Sequence, residues 1–255
     1  MNEPFLAACE YWVYLPGEKL PEQERVMTAM VARNPHSRGG ESPVGPREGI
    51  LFSDIRLSVA LVLRSKNPHA FRPDVFNDFE ATADQLAALG QAHSLVKLRY
   101  VSEEPLADAR HLQFLPHMAD AYAILGKATA VLDVVAERLF LASEFHEALG
   151  QNIDATRPEF HLRIAWHHQD GYATAETKGL LKRGLPELTT GQAQADNRQL
   201  LCDVLTEAAT LAWQRGEHLD TEIVEYYGDR FEVRSEPQRG RKRVVQIVRF
   251  QSVAT

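Results

Sequence analysis

The sequence contains little cysteine. Cys9 and Cys202 are its only two cysteines, and neither belongs to a CxxC or CxxH pair. A disulfide framework and a cysteine-based zinc module are therefore excluded, and two isolated thiols are typical of a reducing compartment. We expect a cytoplasmic protein in which both cysteines serve packing.

Long apolar runs are also missing. The stretch "IRLSVALVL" is nine residues long and contains an arginine, whereas a membrane helix needs about 20 apolar residues. The N-terminal segment "MNEPFLAACEYWVYLPGEK" has neither a positive n-region nor an unbroken apolar run, so it does not resemble a signal peptide. We expect a soluble chain that does not cross a membrane.

Positive charge is scarce as well, since the formal net charge is -7. This balance argues against a dedicated binder of nucleic acid or anionic membranes. One local exception is the predicted hairpin tip "EPQRGRKRVV", which holds Arg241, Lys242 and Arg243. These three side chains are an anion-binding candidate for phosphates or an acidic protein, although aromatic residues for base stacking are sparse there. The alternative is a solvated turn whose charges protect a sheet edge.

The chain nevertheless has enough apolar residues for a substantial core. It is 255 residues long and 44% hydrophobic, which allows one large or two small domains. We expect two subdomains, residues 1–150 and 151–255. The segment "PHSRGGESPVGPREG", residues 35–49, is rich in proline and glycine, and it predicts a long loop.

The first half predicts strands and helices in mixed order. Residues 9–15 form a strand and "PEQERVMTAMVARN" a helix; the order from residue 55 is then strand, helix, strand, strand, helix, strand. The segments that give this order are "IRLSVALVLR", "PDVFNDFEATADQLAALG" with Asp74 as N-cap, "HSLVKLRYVS", "HLQFL", "PHMADAYAILG" and "TAVLDVV". This is the split βαβ order of ferredoxin-like domains.

The second half predicts a hairpin, a long helix and closing strands. "EFHLRIAWHH" and "YATAETKG" flank a "QDG" turn, which favours a hairpin. An amphipathic helix is predicted over residues 196–215, with Gly216 at its C-terminus. Strands in "TEIVEYYGDRFEVRS" and "RVVQIVRF" follow. The whole chain predicts an α+β fold of antiparallel sheets with helices packed on one face.

Common catalytic and nucleotide-binding motifs fail at their functional residues. "GLLKRG" has the glycine spacing of a P-loop, but Leu185 and Pro186 replace the required Lys and Ser or Thr. GxGxxG and GxSxG are absent, and Ser42 in "GESPV" lacks the second glycine of a nucleophile elbow. HExxH is absent too, because Gly150 follows His146 where the second histidine is needed.

Histidines and carboxylates are the remaining candidates for chemistry. His161 and His167 share one face of the predicted strand but lie about 20 Å apart at the strand rise, too far for one metal ion. We therefore expect no metal and no cofactor. A site assembled by the fold would use His111, His117, Asp120 and Asp133. The alternative is that these residues cap or solvate the ends of helices and strands.

Two stretches, "PHMADAYAILGKATAVLDVVAERLF" and "ETKGLLKRGLPEL", resemble a loose group of uncharacterised bacterial proteins. The resemblance is seen in an Ala-Asp-Ala helix around Asp120, a strand that ends in Asp133, and a Gly-Leu-Pro-Glu-Leu turn from Gly184. The sequence departs from the group at Ala128 and Thr129, where its members have paired glycines. Some domains of this kind are similar to immunity proteins of bacterial toxin systems, which act by binding.

Three functional hypotheses follow. The first is a non-enzymatic protein that binds a protein partner in an immunity-like or adaptor role, with a homodimer as one form of this binding. The second is a hydrolase-type enzyme whose site uses His111, His117, Asp120 and Asp133, with residues 35–49 as a lid. The third is nucleic-acid binding through Arg241, Lys242 and Arg243, which the net charge disfavours.

Overall fold

The chain divides into two compact units: residues 7–160 form one, and residues 161–255 together with residues 1–6 form the other. The computed structural model describes residues 6–33, 55–76, 79, 81–102, 109–150, 155–169, 172–191, 193–194, 198–226, 228–238 and 242–249. The predicted loop at residues 35–49, including Ser42, lies outside these ranges. The division falls ten residues after the predicted boundary.

The first unit is built on a five-stranded antiparallel sheet. Its strands are β1 (Ala8–Leu15), β2 (Ile55–Leu63), β3 (Ser94–Ser102), β4 (Ala130–Asp133) and β5 (Arg138–Leu141), in the spatial order β2-β3-β1-β4-β5. Its helices are α1 (Gln23–Arg33), α2 (Ala83–Gly90), α3 (Arg110–Gly126) and α4 (Ala142–Gly150), with 3₁₀ turns at Pro68–Phe71 and Pro73–Phe76. The central strand β1 pairs with β3 on one side and β4 on the other.

Helices pack on both faces of this sheet, whereas the prediction placed them on one. Tyr11 and Tyr14 of β1 point to opposite faces, because they lie three positions apart in a strand whose side chains alternate. Tyr11 contacts Phe145 of α4 edge to face. Tyr14 belongs to a buried apolar cluster that includes Leu89 of α2 and Phe71 of the first 3₁₀ turn.

Two predicted elements of the first unit are wrong. "HLQFL" is not a strand but the beginning of α3, and Pro116, expected at the helix start, lies inside the helix. The helix predicted from Asp74 begins only at Ala83, since residues 73–76 form a 3₁₀ turn. The N-cap is Thr82, whose hydroxyl accepts a hydrogen bond from the Gln85 N–H. The predicted strands at residues 9–15, 55–64 and 93–102 are confirmed within one residue at each end.

The strand order corresponds to two split βαβ units. β3 lies between β1 and β2, and β1 lies between β3 and β4, so each crossover has a strand inserted in its middle. The first strand of this arrangement is β1. The predicted ferredoxin-like order instead began with the strand at residue 55, which is β2. Because α2 and β5 are additional to the simple βαββαβ pattern, the ferredoxin-like assignment stays a prediction.

The second unit contains a seven-stranded sheet. The short helix α5 (Pro158–His161) spans the point of division in the sequence. The elements that follow it are β6 (Arg163–Gln169), β7 (Tyr172–Lys178), β8 (Glu187–Thr190), β9 (Ala193–Gln194), α6 (Arg198–Arg215), β10 (Thr221–Tyr226), β11 (Asp229–Gln238) and β12 (Lys242–Arg249). The main order is β10-β11-β12-β8-β7-β6, with β9 beside β7. The predicted β6–β7 hairpin is confirmed.

Helix α6 covers one face of this sheet through its buried stripe, which includes Val204, Ala208 and Trp213. The helix ends at Gly216, as predicted, because a φ of +72° is easily adopted only by glycine. The β8–β12 pair is parallel, so the sheet is mixed and not purely antiparallel. The α+β fold class is confirmed.

No helix in the described part of the chain is both long and apolar enough to cross a membrane. Cys9 lies buried in β1, Cys202 lies half-buried on α6, and neither forms a disulfide.

Candidate functional sites

The four predicted site residues all lie in the first unit and all are buried. His111, His117 and Asp120 are on α3, and Asp133 ends β4. His117 and Asp120 are three residues apart and share a helix face. His111 is more than one further turn away along the helix. The fold therefore groups the four residues only in part.

Asp120 binds His146, the histidine of the segment that lacks the second histidine of HExxH. His146 Nδ1, on α4, lies 2.9 Å and 3.2 Å from the two carboxylate oxygens of Asp120. The Asp120 side chain is fully buried, while 42% of the His146 side chain is exposed. A buried carboxylate at Nδ1 fixes the tautomer and orientation of an imidazole, as in general-base dyads. No spacing rule links positions 120 and 146, so the pair could not be predicted from a sequence motif.

His117 and His111 have different surroundings. His117 Nε2 lies 3.0 Å from Gln113 Nε2, and Gln113 Oε1 accepts a hydrogen bond from the Ala155 N–H at 2.7 Å. The His111 ring stacks on Tyr100, with ring centroids 4.9 Å apart. His117 thus lies in a polar contact between α3 and the segment after α4, and His111 faces the sheet.

Asp133 serves the turn between β4 and β5 and also neighbours a buried tyrosine. Its Oδ1 accepts a hydrogen bond from the Ala136 N–H at 3.1 Å. Tyr11 is its partner across the β1–β4 pair. Burial, with further contributions from Asp133 and Cys9, raises the pKa of Tyr11 well above its ordinary value. In the residues that the structure describes, no three His, Cys, Asp or Glu side chains are arranged to hold a metal ion.

In the second unit, the glycine-flanked turn that resembled a P-loop binds an internal carboxylate. Residues Leu180–Arg183 form a 3₁₀ turn between Gly179 and Gly184. Glu187 Oε1 accepts hydrogen bonds from the N–H groups of Gly179 at 2.8 Å and Leu181 at 3.2 Å. These backbone donors, which a P-loop would offer to phosphate, are therefore occupied by Glu187.

Glu187 is itself buried, and its environment changes its ionisation. Thr177 Oγ1 donates a hydrogen bond to Glu187 Oε2 at 2.7 Å. Burial raises the pKa of Glu187 to about 7, and the hydrogen bonds from Thr177 and the turn oppose this shift only in part. No cationic side chain in the described residues forms an ion pair with this carboxyl group. The fold thus places beneath the turn a carboxyl group that titrates near neutral pH.

The turn also positions a buried lysine and histidine. Lys182 is fully buried, and its Nζ lies 3.3 Å from His161 Nδ1. The His161 ring stacks on Trp213 of α6, with ring centroids 5.1 Å apart. His161 belongs to α5 and not to strand β6. The prediction that His161 and His167 share one face of a strand is therefore wrong.

A glycine is required where the turn approaches His161. Gly179 has a φ of +114°, and a Cβ atom at this position would lie 2.1 Å from the His161 carbonyl oxygen. Such an approach is possible only without a side chain. Gly179 is thus explained by close backbone packing and not by phosphate binding.

The predicted basic tip is only partly described, and its described cations are engaged. Arg243 is buried; its Nη2 donates to Asp220 Oδ1 at 2.7 Å and its Nε to Ser235 Oγ at 2.7 Å. Lys242 Nζ lies 2.7 Å from Glu176 Oε1. Arg241 lies outside the described residues. A phosphate would have to compete with these ion pairs for Lys242 and Arg243.

Comparison of the chain with protein-family models, curated proteins and solved structures finds no significant match.

Proposed function

We propose that this protein binds another protein chain through the edge strand β2, and that the partner is a second copy of itself. The observation that supports the proposal is that this edge strand is apolar and exposed. Leu57 and Val59 are 36% and 40% exposed, and residues 57–63 carry no charge. An exposed apolar strand offers unpaired backbone groups to an incoming strand.

The other sheet edges are protected in ways that β2 is not. β5 is only four residues long. β10 contains Glu222 and Glu225, and β6 contains Arg163 and two histidines. Short length and charge are the usual protection against edge-to-edge pairing. In the described residues β2 forms a nine-residue edge that has no such protection over its last seven positions.

The edge is self-complementary about a twofold axis. An antiparallel pairing centred on Val59 places Leu57 of one copy opposite Leu61 of the other, and no like charges meet within residues 57–63. The same strand then pairs on both copies with its exposed side chains next to those of its partner, as an isologous interface requires. A single strand pair buries less than a standard interface of about 1,600 Å², so we expect reversible association in the micromolar range.

Sedimentation velocity across a micromolar concentration series tests the proposal. V59K introduces an edge-protecting charge, and I223K places the same residue at a matched position, since Ile223 on the β10 edge is 41% exposed. We expect the wild type and I223K to dimerise and V59K to stay monomeric. A wild type that stays monomeric, or a V59K variant that dimerises as well as the wild type, contradicts the proposal.

The resemblance to immunity-type domains agrees with this proposal, because such domains need no active site. An immunity-like or adaptor role, in which the same edge binds a different protein, is the broader form of this function.

A second function, hydrolysis assisted by a general base, is favoured by the Asp120–His146 pair. A fully buried carboxylate that orients a half-exposed imidazole is a known way to prepare a base. The test is turnover of a panel of esters, amides and phosphoesters by the wild type, D120N and H146Q. Activity that both substitutions reduce supports hydrolysis, and a wild type without turnover rejects it.

A further inference from the structure

Arg183 is a half-buried cation on the 3₁₀ turn that follows β7. No acceptor or carboxylate in the described residues binds its guanidinium, whose Cζ lies 5.9 Å from the centre of the Trp213 ring. Burial lowers the pKa of Arg183. A guanidinium has five N–H donors, and at this half-buried position those of Arg183 are open to a ligand. The position therefore favours an anion.

The acidic side chains that follow α6 in the sequence are paired with other arginines or exposed. Glu222 binds Arg215 at 2.5 Å. Asp220 binds Arg243 at 2.7 Å. Glu217, next to Gly216, is exposed and forms no ion pair with Arg183. None of these three acidic side chains forms an ion pair with Arg183.

The surroundings hold Arg183 in place. The turn that carries it is tied to β8 by Glu187 and anchored by the buried Lys182. The opposing Trp213 ring is fixed by its stacking on His161. Gly216 leaves room for the guanidinium, since a Cβ there would lie 3.1 Å from Arg183 Nη2. A preorganised cation loses little conformational entropy when it binds a ligand.

We propose that Arg183, resting on the face of Trp213, is a binding site for a small oxyanion, either a carboxylate or a phosphate group. The planar guanidinium can donate two parallel hydrogen bonds to two oxygens of such a group. The indole ring excludes water from one side of the guanidinium and is attracted to its charge. The backbone of the turn does not take part, because Glu187 occupies its donors. This site is independent of the β2 edge.

The test is an NMR titration of the full-length ¹⁵N-labelled protein with inorganic phosphate and, separately, with acetate. Sodium chloride keeps the ionic strength constant, so that general screening does not contribute. We expect the Arg183 Nε–H and Trp213 indole N–H signals to move and saturate in the millimolar range. Saturation by only one of the two anions identifies the preferred oxyanion.

Matched variants separate a site from unspecific attraction. R183M should weaken binding at least tenfold, and R215M, which removes a neighbouring arginine already paired with Glu222, should bind as the wild type does. R183K keeps the charge but loses the planar fork and should bind several-fold more weakly. Linear shifts without saturation, or equal binding by R183M and the wild type, overturn the proposal. If R183M does not fold, the R183K variant decides the test. An R183K variant that binds the anion as tightly as the wild type overturns the proposal.

Discussion

Glu187 is the residue whose ionisation should be most visible in the stability of the protein. Its pKa rises from an ordinary value of 4.5 to about 7 because the carboxyl group is buried. The folded state therefore holds this proton more tightly than the unfolded state does. The resulting stabilisation is complete below about pH 4.5 and is lost as the pH rises to about 7, an effect of about 3 kcal/mol.

We expect E187Q to lack this pH dependence, because glutamine stays neutral. The free energy of unfolding of the wild type relative to E187Q should fall by up to about 3 kcal/mol between pH 4.5 and 7. Urea denaturation at a series of pH values measures it. E217Q, which removes an exposed carboxylate, is the control. Wild-type and E187Q profiles that run parallel over this range would contradict the assigned ionisation.

Two contacts of single residues could not be predicted from the sequence. The sequence identified Asp120 as a candidate but not His146, its hydrogen-bond partner, because the two belong to different helices. "GLLKRG" lacks the residue types of a P-loop, and its turn holds the Glu187 carboxyl group. The position of Glu187 against this turn could not be predicted, because only the folded chain brings β8 under the turn.

At the scale of elements, α2 depends on a capping box that also reaches α4. Thr82 Oγ1 accepts from the Gln85 N–H, and Gln85 Oε1 accepts from the Thr82 N–H. Gln85 Nε2 then donates to Glu144 Oε2 at 2.9 Å. Loss of an N-cap hydroxyl typically costs about 1 kcal/mol. We expect T82A to lower the free energy of unfolding by this amount in chemical denaturation.

Two further variants separate the contributions of the Thr82 hydroxyl and the Gln85 side chain to the free energy of unfolding. T82S keeps the hydroxyl and should be close to the wild type. Q85A removes the reciprocal hydrogen bond as well as the contact with Glu144, so it should cost more than T82A. An equal stability of T82A and T82S would show that the capping hydrogen bond contributes nothing.

The elements that were predicted wrongly have a common cause. Pro116 is favoured at the first position of a helix, so the sequence indicated a helix start there. The buried Leu112 and Leu115 instead extend α3 by six residues before the proline. Asp74 is likewise a good N-cap type, but the Thr82-x-x-Gln85 box is the stronger signal. Local preference identified most elements, and tertiary packing decided these two boundaries.

At the scale of the whole molecule, the two proposed binding sites belong to different units. β2 lies in residues 7–160, and Arg183 lies in the unit that contains residues 161–255. The first unit has its own sheet and its own apolar core around Tyr14, Phe71 and Leu95. A unit with a core of its own is a candidate for independent folding.

A fragment of residues 7–160 should therefore fold and keep only one of the two activities. We expect a well-dispersed ¹H–¹⁵N spectrum and reversible self-association that V59K abolishes, because the β2 edge is intact. The fragment should show no saturable phosphate binding, since it lacks Arg183. Sedimentation velocity and the phosphate titration measure the two properties on the same sample. A folded fragment that stays monomeric while the full-length chain dimerises would place the interface outside this unit, and a collapsed spectrum would show that the core is insufficient alone.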